Sequence, residues 1–160
     1  MTAISNASPL IILAKIGLLD LLLHLHGQVI ISPDVHREVV VSGAGLPGSG
    51  QVASAQWIKV KDVREPARIA RVAAGAGLGL GEASTVLLAQ ELRADLALID
   101  DLKARKVAEA EGLKIRGSIG TLEAAFRKGH LSDLRQAFRH LVEAGLYLES
   151  PNPRINPEGV

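Results

Sequence analysis

Four apolar residues in a row, Leu96-Ala97-Leu98-Ile99, stop abruptly at two consecutive aspartates, Asp100 and Asp101. An apolar run this short, with no polar alternation, reads as a strand buried on both faces. Strands of that kind belong almost only to parallel sheets covered by helices. Val29-Ile30-Ile31 is a second such run, and Thr2-Ala3-Ile4-Ser5 is a short strand that reaches Asn6. Trp57-Ile58-Lys59-Val60 alternates and reads as a strand near an edge, and Lys114-Ile115 as a short one. Helical patterns separate them. Ser32-Pro33 places Ser at an N-cap and Pro at the first helical position, opening a helix through Glu38 to about Val41. Ser8-Pro9 repeats the signal, which puts Ser8 at an N-cap; Gly17 then splits the apolar stretch into two short helices ending near Gly27. Further helices are expected from Glu82 to about Arg93 and from Leu102 to Glu111, the second closed by Gly112. Thr121 and Ser132 read as the caps of two last helices, closed by Gly129 and Gly145. The glycine-rich stretches 43–50 and 75–81 read as loops, with a basic segment (Lys61, Arg64, Arg68, Arg71) between them. Strands alternating with helices give an α/β fold with a parallel sheet covered on both faces. The expectation is a single domain over 1–150 and a flexible tail over 151–160.

Composition narrows the function. Hydrophobic residues make up 48% of the chain but aromatics only 2%, so Leu, Ile, Val and Ala must build the core. Eighteen Lys and Arg against 17 Asp and Glu leave a net charge of +1. That excludes a strongly basic coat, and any nucleic-acid affinity must come from a local patch. With no cysteine, disulfide scaffolds, thiolate zinc sites and Cys nucleophiles are excluded. Met1-Thr2-Ala3-Ile4 carries no address label, and Lys15, Gly17 and Asp20 interrupt the most apolar stretch. A cytoplasmic protein with no membrane span is expected.

In open parallel sheets, sites form outside the carboxyl ends of the strands where strand order reverses. Asn6 follows the first strand and Asp100 and Asp101 follow the fourth, while Glu38 and Glu82 ride on helices facing the same general region. Carboxylates gathered without cysteines or a histidine cluster are hard oxygen ligands, suited to Mg²⁺ or Mn²⁺. Such a site can activate water and shield the charge that builds up in phosphodiester cleavage. Each residue also has an ordinary role: an N-cap for Asp100 or Asp101, helix-dipole pairing for Glu82, solvation for Glu38, an Asx turn for Asn6. Two acids behind one strand exceed what capping needs.

Other chemistries fit less well. Gly43-Ala44-Gly45-Leu46-Pro47-Gly48 matches G-x-G-x-x-G, with Asp62 further on. Pro47 stiffens that turn, however, and only a short helix fits before Trp57. His24, His26, His36, His130 and His140 have no ligand-like spacing, and no serine lies in a G-x-S-x-G elbow.

The run Ile4-Ser5-Asn6-Ala7-Ser8-Pro9-Leu10-Ile11 with Leu13-Ala14-Lys15-Ile16-Gly17 resembles the opening of PIN-domain proteins, most of all the subgroup known as DUF3368. The resemblance continues through Ser32-Pro33 with Glu38, Gly79-Leu80-Gly81-Glu82-Ala83, Leu98-Ile99-Asp100-Asp101 with Ala104-Arg105, and Gly117-Ser118-Ile119-Gly120-Thr121. It implies a three-layer α/β/α fold and Mg²⁺- or Mn²⁺-dependent endonuclease chemistry, mostly on RNA. It also implies a role as the toxin of a toxin–antitoxin pair. By position, Asn6, Glu38, Glu82 and Asp101 would surround the metal with Asp100 close by; metal ligation would fall to Asn6, Glu82, Asp100 and Asp101, and catalysis to Glu38, Glu82, Asp100 and Asp101. Asn6 departs from the broader family, which has Asp there, and Ser118 stands where the subgroup often has Thr. The expected nucleic-acid contacts are Ser8, Lys103, Arg105 and Lys106 beside the acid pair, and Arg116 before the glycine turn. The expected partners are single-stranded RNA, an antitoxin protein and a second copy of the chain. The rival reading is a catalytically weak protein of the same fold that binds nucleic acid or an antitoxin, because Asn6 removes one charge from the metal's shell.

Overall fold

The computed structural model describes residues 2–146. Five short strands lie side by side, all parallel, in the order β3-β2-β1-β4-β5. They are β1 (Ala3–Ser5), β2 (Val29–Ile31), β3 (Ile58–Val60), β4 (Leu96–Leu98) and β5 (Ile115–Arg116). The helices are α1 (Ala7–Lys15), α2 (Leu21–His26), α3 (Pro33–His36), α4 (Ser49–Ser54), α5 (Ala67–Ala76), α6 (Leu80–Glu91), α7 (Leu102–Ala110), α8 (Ser118–Arg127) and α9 (Leu134–Glu143).

Side chains alternate across a strand, so one apolar run feeds two cores. Ile4, Ile30, Ala97 and Ile99 pack with Ile69 and Ala73 of α5, Val86 and Leu87 of α6, and Ala104 and Ala108 of α7. Val29, Ile31, Leu96 and Leu98 pack on the other face with Leu10 and Leu13 of α1, Leu122 of α8 and Leu141 of α9. The result is the three-layer α/β/α arrangement expected of the sequence. With so few aromatics, each layer is held by aliphatic side chains worth about 1.5–3 kcal/mol apiece when fully buried.

Strand order reverses beside β1. The chain steps from β1 to β2 and β3 on one side, then returns to place β4 and β5 on the other. Ser5 is level with Leu98, and the Asn6 N–H donates to the Leu98 carbonyl at 3.0 Å. The carboxyl ends of β1 and β4 are thereby fixed together at the switch point, where a parallel sheet opens a crevice.

Several local expectations are corrected. Asn6, not Ser8, is the N-cap of α1, and Ser8 lies inside the first turn. Because the Asn6 N–H completes the pairing with β4, strand passes into helix with only Asn6 between them. The single helix expected over Ser32 to Val41 becomes α3 followed by a π-helical turn, Arg37–Val41, in which the Ser42 N–H donates to the Arg37 carbonyl at 2.7 Å. Helix α4 begins at Ser49, inside the stretch expected to be a loop, and the π turn replaces the strand that a dinucleotide-binding motif at Gly43 would need. Gly75 lies within α5 and Gly81 within α6, leaving only a short turn at Gly77, whose φ of +67° favours glycine. Burial of Ile69 and Ala73 outweighs the roughly 1 kcal/mol that a helical glycine costs. Thr121 lies inside α8, its hydroxyl donating to the Gly117 carbonyl, and Gly117 is the N-cap. Asp133 rather than Ser132 caps α9, accepting from the Gln136 N–H at 2.9 Å. Strand β5 is displaced by one residue from Lys114-Ile115. The tail at 151–160 lies outside the described residues. Among those described, no single helix is long and apolar enough to cross a membrane.

Candidate active site

A cleft of about 790 Å³ opens at the switch point. One wall carries Asn6 and Ser8 from the start of α1, Glu38 from the π turn, Glu82 from the first turn of α6 and Asp100-Asp101 from the end of β4. Arg105 of α7, Arg116 of β5, and Gly120, Glu123 and Arg127 of α8 line the rest. Lys103 and Lys106 lie outside this lining, and the Lys103 ammonium instead approaches the Gly77 carbonyl at the end of α5, at 3.4 Å.

The two aspartates do different things. Both oxygens of Asp100 are occupied by one residue: Oδ1 accepts from the Ser118 N–H and Oδ2 from the Ser118 hydroxyl, each at 2.6 Å. Burial raises the Asp100 pKa, while the Ser118 bonds and then the Arg105 guanidinium act to lower it. The Arg105 guanidinium lies toward the Ile99 carbonyl at 3.5 Å rather than pairing with Asp101. Gly117 is required here, since a Cβ would stand 2.6 Å from Arg105 Nη1 and 2.9 Å from Asp100 Oδ1. Asp101 caps α7, one oxygen accepting from the Ala104 N–H at 2.9 Å, and its carboxyl also lies within hydrogen-bonding reach of Glu82.

Glu82 has a matching double role. Its Oε1 accepts from the Gly79 N–H at 2.9 Å, closing the first turn of α6. Burial pushes its pKa up; the Gly79 bond opposes this, and the charges of Asp101 and Glu38 reinforce it. Glu38 is exposed as a residue, but its carboxyl is tucked against Gly81, and partial burial raises its pKa. A Cβ on Gly81 would lie 3.2 Å from Glu38 Oε1 and 3.7 Å from Asn6 Oδ1. Glycine at that point lets α6 approach both side chains. Asn6 is 4% exposed and gives α1 no side-chain cap, so the Asx role is not the one it plays. A buried hydrogen bond of 2.7 Å between the Ser32 and Ser84 hydroxyls ties α3, which leads into Glu38, to α6, which carries Glu82.

Among the described residues, no three His, Asp or Glu side chains converge into a ready ligand group. The donor set still fits a hard divalent cation. It is all oxygen, and burial together with the nearby Asp101 and Glu38 charges raises the Glu82 pKa, a crowding of negative charge that a cation would relieve.

An acid-lined cleft at the switch point of a three-layer α/β/α sheet lies where open parallel α/β proteins bind their ligands. The family is then particular: the family model DUF3368, a PIN domain, matches residues 2–152, and the chain belongs to that family. A search of curated proteins returns no match. Membership carries nuclease-type function, nucleic-acid binding and use of divalent metals as general properties of the family.

Sequence reasoning missed Gly81, Glu123 and Arg127. Starting α8 at Thr121 hid the stripe Gly120–Glu123–Arg127, whose spacing of three and four residues puts all three on one helical face. Nothing in the sequence alone marks which face meets the cleft.

Proposed function

We propose that the chain is a metal-dependent endonuclease cutting single-stranded RNA, with Glu38, Glu82 and Asp101 holding Mg²⁺ or Mn²⁺ and Asn6 contributing a neutral oxygen. The observation that carries this reading is the Glu82–Asp101 carboxyl pair, set at the switch point without a cationic partner. Among the described residues the one ion pair is Arg37 with Asp34. A bound divalent cation would keep these carboxylates ionised and polarise both water and a phosphodiester. Glu38 reaches the same point beside Gly81 as Asn6, where its carboxylate would share in holding the cation. Asp100 acts at one remove, holding the start of α8 in place. Ser8 and Arg105 line the cleft where a substrate strand would pass. A role as a toxin, with an antitoxin and a second copy as partners, rests on family resemblance. Val41 and Leu46, 61% and 64% exposed, are apolar side chains that such contacts would cover.

Asp101→Asn tests the assignment, because asparagine keeps the cap on α7 and removes the charge. Mn²⁺-dependent cleavage of a labelled single-stranded RNA should fall about a hundredfold or more, with the chelator-treated protein melting no lower than wild type. Cleavage at the wild-type rate, or undiminished cutting by wild type in chelator, refutes it. A second reading, binding with little cleavage, is favoured by the neutral amide of the buried Asn6. It requires RNA to be retained uncut at saturating Mn²⁺.

A further inference from the structure

The cleft has a cationic wall as well as an acidic one. Arg116 ends β5 and Arg127 ends α8, and both line the cleft that holds Glu38, Glu82 and Asp101. Neither makes an ion pair among the described residues, although acids line the same space. Glu123, one turn before Arg127 on α8, is itself engaged. The position of Arg116 is built rather than incidental. Its stem crosses the first turn of α8, where a Cβ on residue 120 would stand 2.9 Å from Arg116 Cγ. Only glycine at 120 leaves that path open. Burial, and then the neighbouring Arg127 charge, destabilise the Arg116 cation. Two like charges held in one cleft lose that mutual repulsion when an anion lies between them. The wall they share runs along α8, from the Asp100–Ser118 junction toward the last turn of the helix.

We propose that Arg116 and Arg127 form a phosphate subsite that grips a backbone phosphate of a single-stranded nucleic acid beside the one to be cut, with Gly120 as the residue that admits Arg116 to it. This rests on the nuclease reading and names how that site holds its substrate. Guanidinium groups suit the task through their planar fork of donors, which matches phosphate oxygens.

The test is fluorescence anisotropy with a labelled single-stranded RNA of about a dozen nucleotides, and DNA of the same sequence, in chelator over a range of salt. Exchanging both arginines for glutamine should weaken binding about tenfold or more at low salt. It should also flatten the plot of log affinity against log salt by about 1.4, or ~0.7 for each lost contact to a single strand. Arg116→Lys with Arg127→Lys should keep the slope, which separates lost charge from lost fold. Gly120→Ala removes no charge and raises helix propensity; by displacing Arg116 it should still weaken binding and flatten the slope by about 0.7. Lys59→Gln, on β3 at the far edge of the sheet, should change nothing. Losses should be equal on RNA and DNA, as a phosphate contact requires, and a loss confined to RNA would overturn the subsite. So would a double glutamine variant that binds within twofold of wild type at an unchanged slope. Binding in chelator involves no cleavage, so the two readings fail separately. Arginine-dependent binding by a protein that never cuts removes the nuclease and keeps the subsite; Mn²⁺-dependent cutting with arginine-independent binding does the reverse.

Discussion

Exchanging Asn6 for Asp adds one negative charge at a position where the structure bounds its cost. Asn6 Oδ1 and Glu38 Oε1 lie 3.7 Å and 3.2 Å from one point beside Gly81, which places the two oxygens within about 7 Å of each other. At an effective dielectric near 20, two unit charges at that separation repel by about 2 kcal/mol. The residue is 4% exposed, so desolvation of the new carboxylate adds to this. For a chain of this size about 2 kcal/mol corresponds to ~4–8 °C in Tm. Metal-free Asn6→Asp should therefore melt lower than wild type at pH 7. The gap should narrow as pH falls, because Glu38, whose pKa is already raised by burial, takes up a proton. Divalent metal should reverse the order, since affinity of hard cations rises with ligand charge. At saturating metal a Kd about a hundredfold tighter in the variant adds about 2.7 kcal/mol relative to wild type, enough to offset the repulsion. Differential scanning fluorimetry in chelator and across a Mn²⁺ titration, with calorimetry for affinity, measures both halves. An unchanged Tm in chelator together with an unchanged Mn²⁺ affinity would show that the Asn6 side chain does not share the field of the acids.

Two further outcomes are expected. Ser118→Ala removes the hydroxyl donor to Asp100 Oδ2 at 2.6 Å and leaves a mostly buried carboxylate short of one bond, so urea unfolding at pH 7 should show a loss of about 1.5–3 kcal/mol; a change below about 0.5 kcal/mol contradicts the latch. His26 has both ring nitrogens buried without a hydrogen-bond partner among the described residues, and its pKa is lowered to about 4, first by burial and then by Arg116 and Lys128. Its folded pKa lies below the unfolded value of 6.5, so the unfolded chain binds the extra proton and stability drains away as pH falls from 6.5 toward 4. His26→Leu should abolish that contribution, as read by urea unfolding at pH 7 and 5; equal losses on acidification in both proteins refute it.

What the sequence reveals of this fold follows from where the determining interactions lie. The strands at Val29 and Leu96 are legible because burial on both faces demands unbroken apolar runs, and Ser32 is legible as a cap because its hydroxyl serves Val35, three residues on. Helix α8 is misread because its cap comes from Asp100, eighteen residues earlier, which satisfies the Ser118 N–H. Ser8 is misread because sheet pairing by the Asn6 N–H, a contact with β4, decides where α1 starts. The acids at 38, 82, 100 and 101 are visible as strand-end and helix-start residues. Gly81 is invisible, because its role is the space it leaves beside Glu38 and Asn6, and no local signal reports an empty volume.

The dipeptide Asp100-Asp101 explains why the cleft has two walls of opposite charge. Asp101 is extended, at φ −61° and ψ 128°, and the two side chains reach different walls. Asp100 reaches α8 and spends both oxygens on Ser118; Asp101 caps α7 and meets Glu82. The first contact locks the junction between β5 and α8, and so sets the wall carrying Arg116 and Arg127. The second completes the acidic wall. An acid at only one of these positions would leave either the cationic wall unanchored or the carboxyl pair incomplete. A strand that ends in two aspartates therefore fixes, in consecutive residues, the spacing between the carboxylates proposed to hold a metal and the arginines proposed to grip a phosphate.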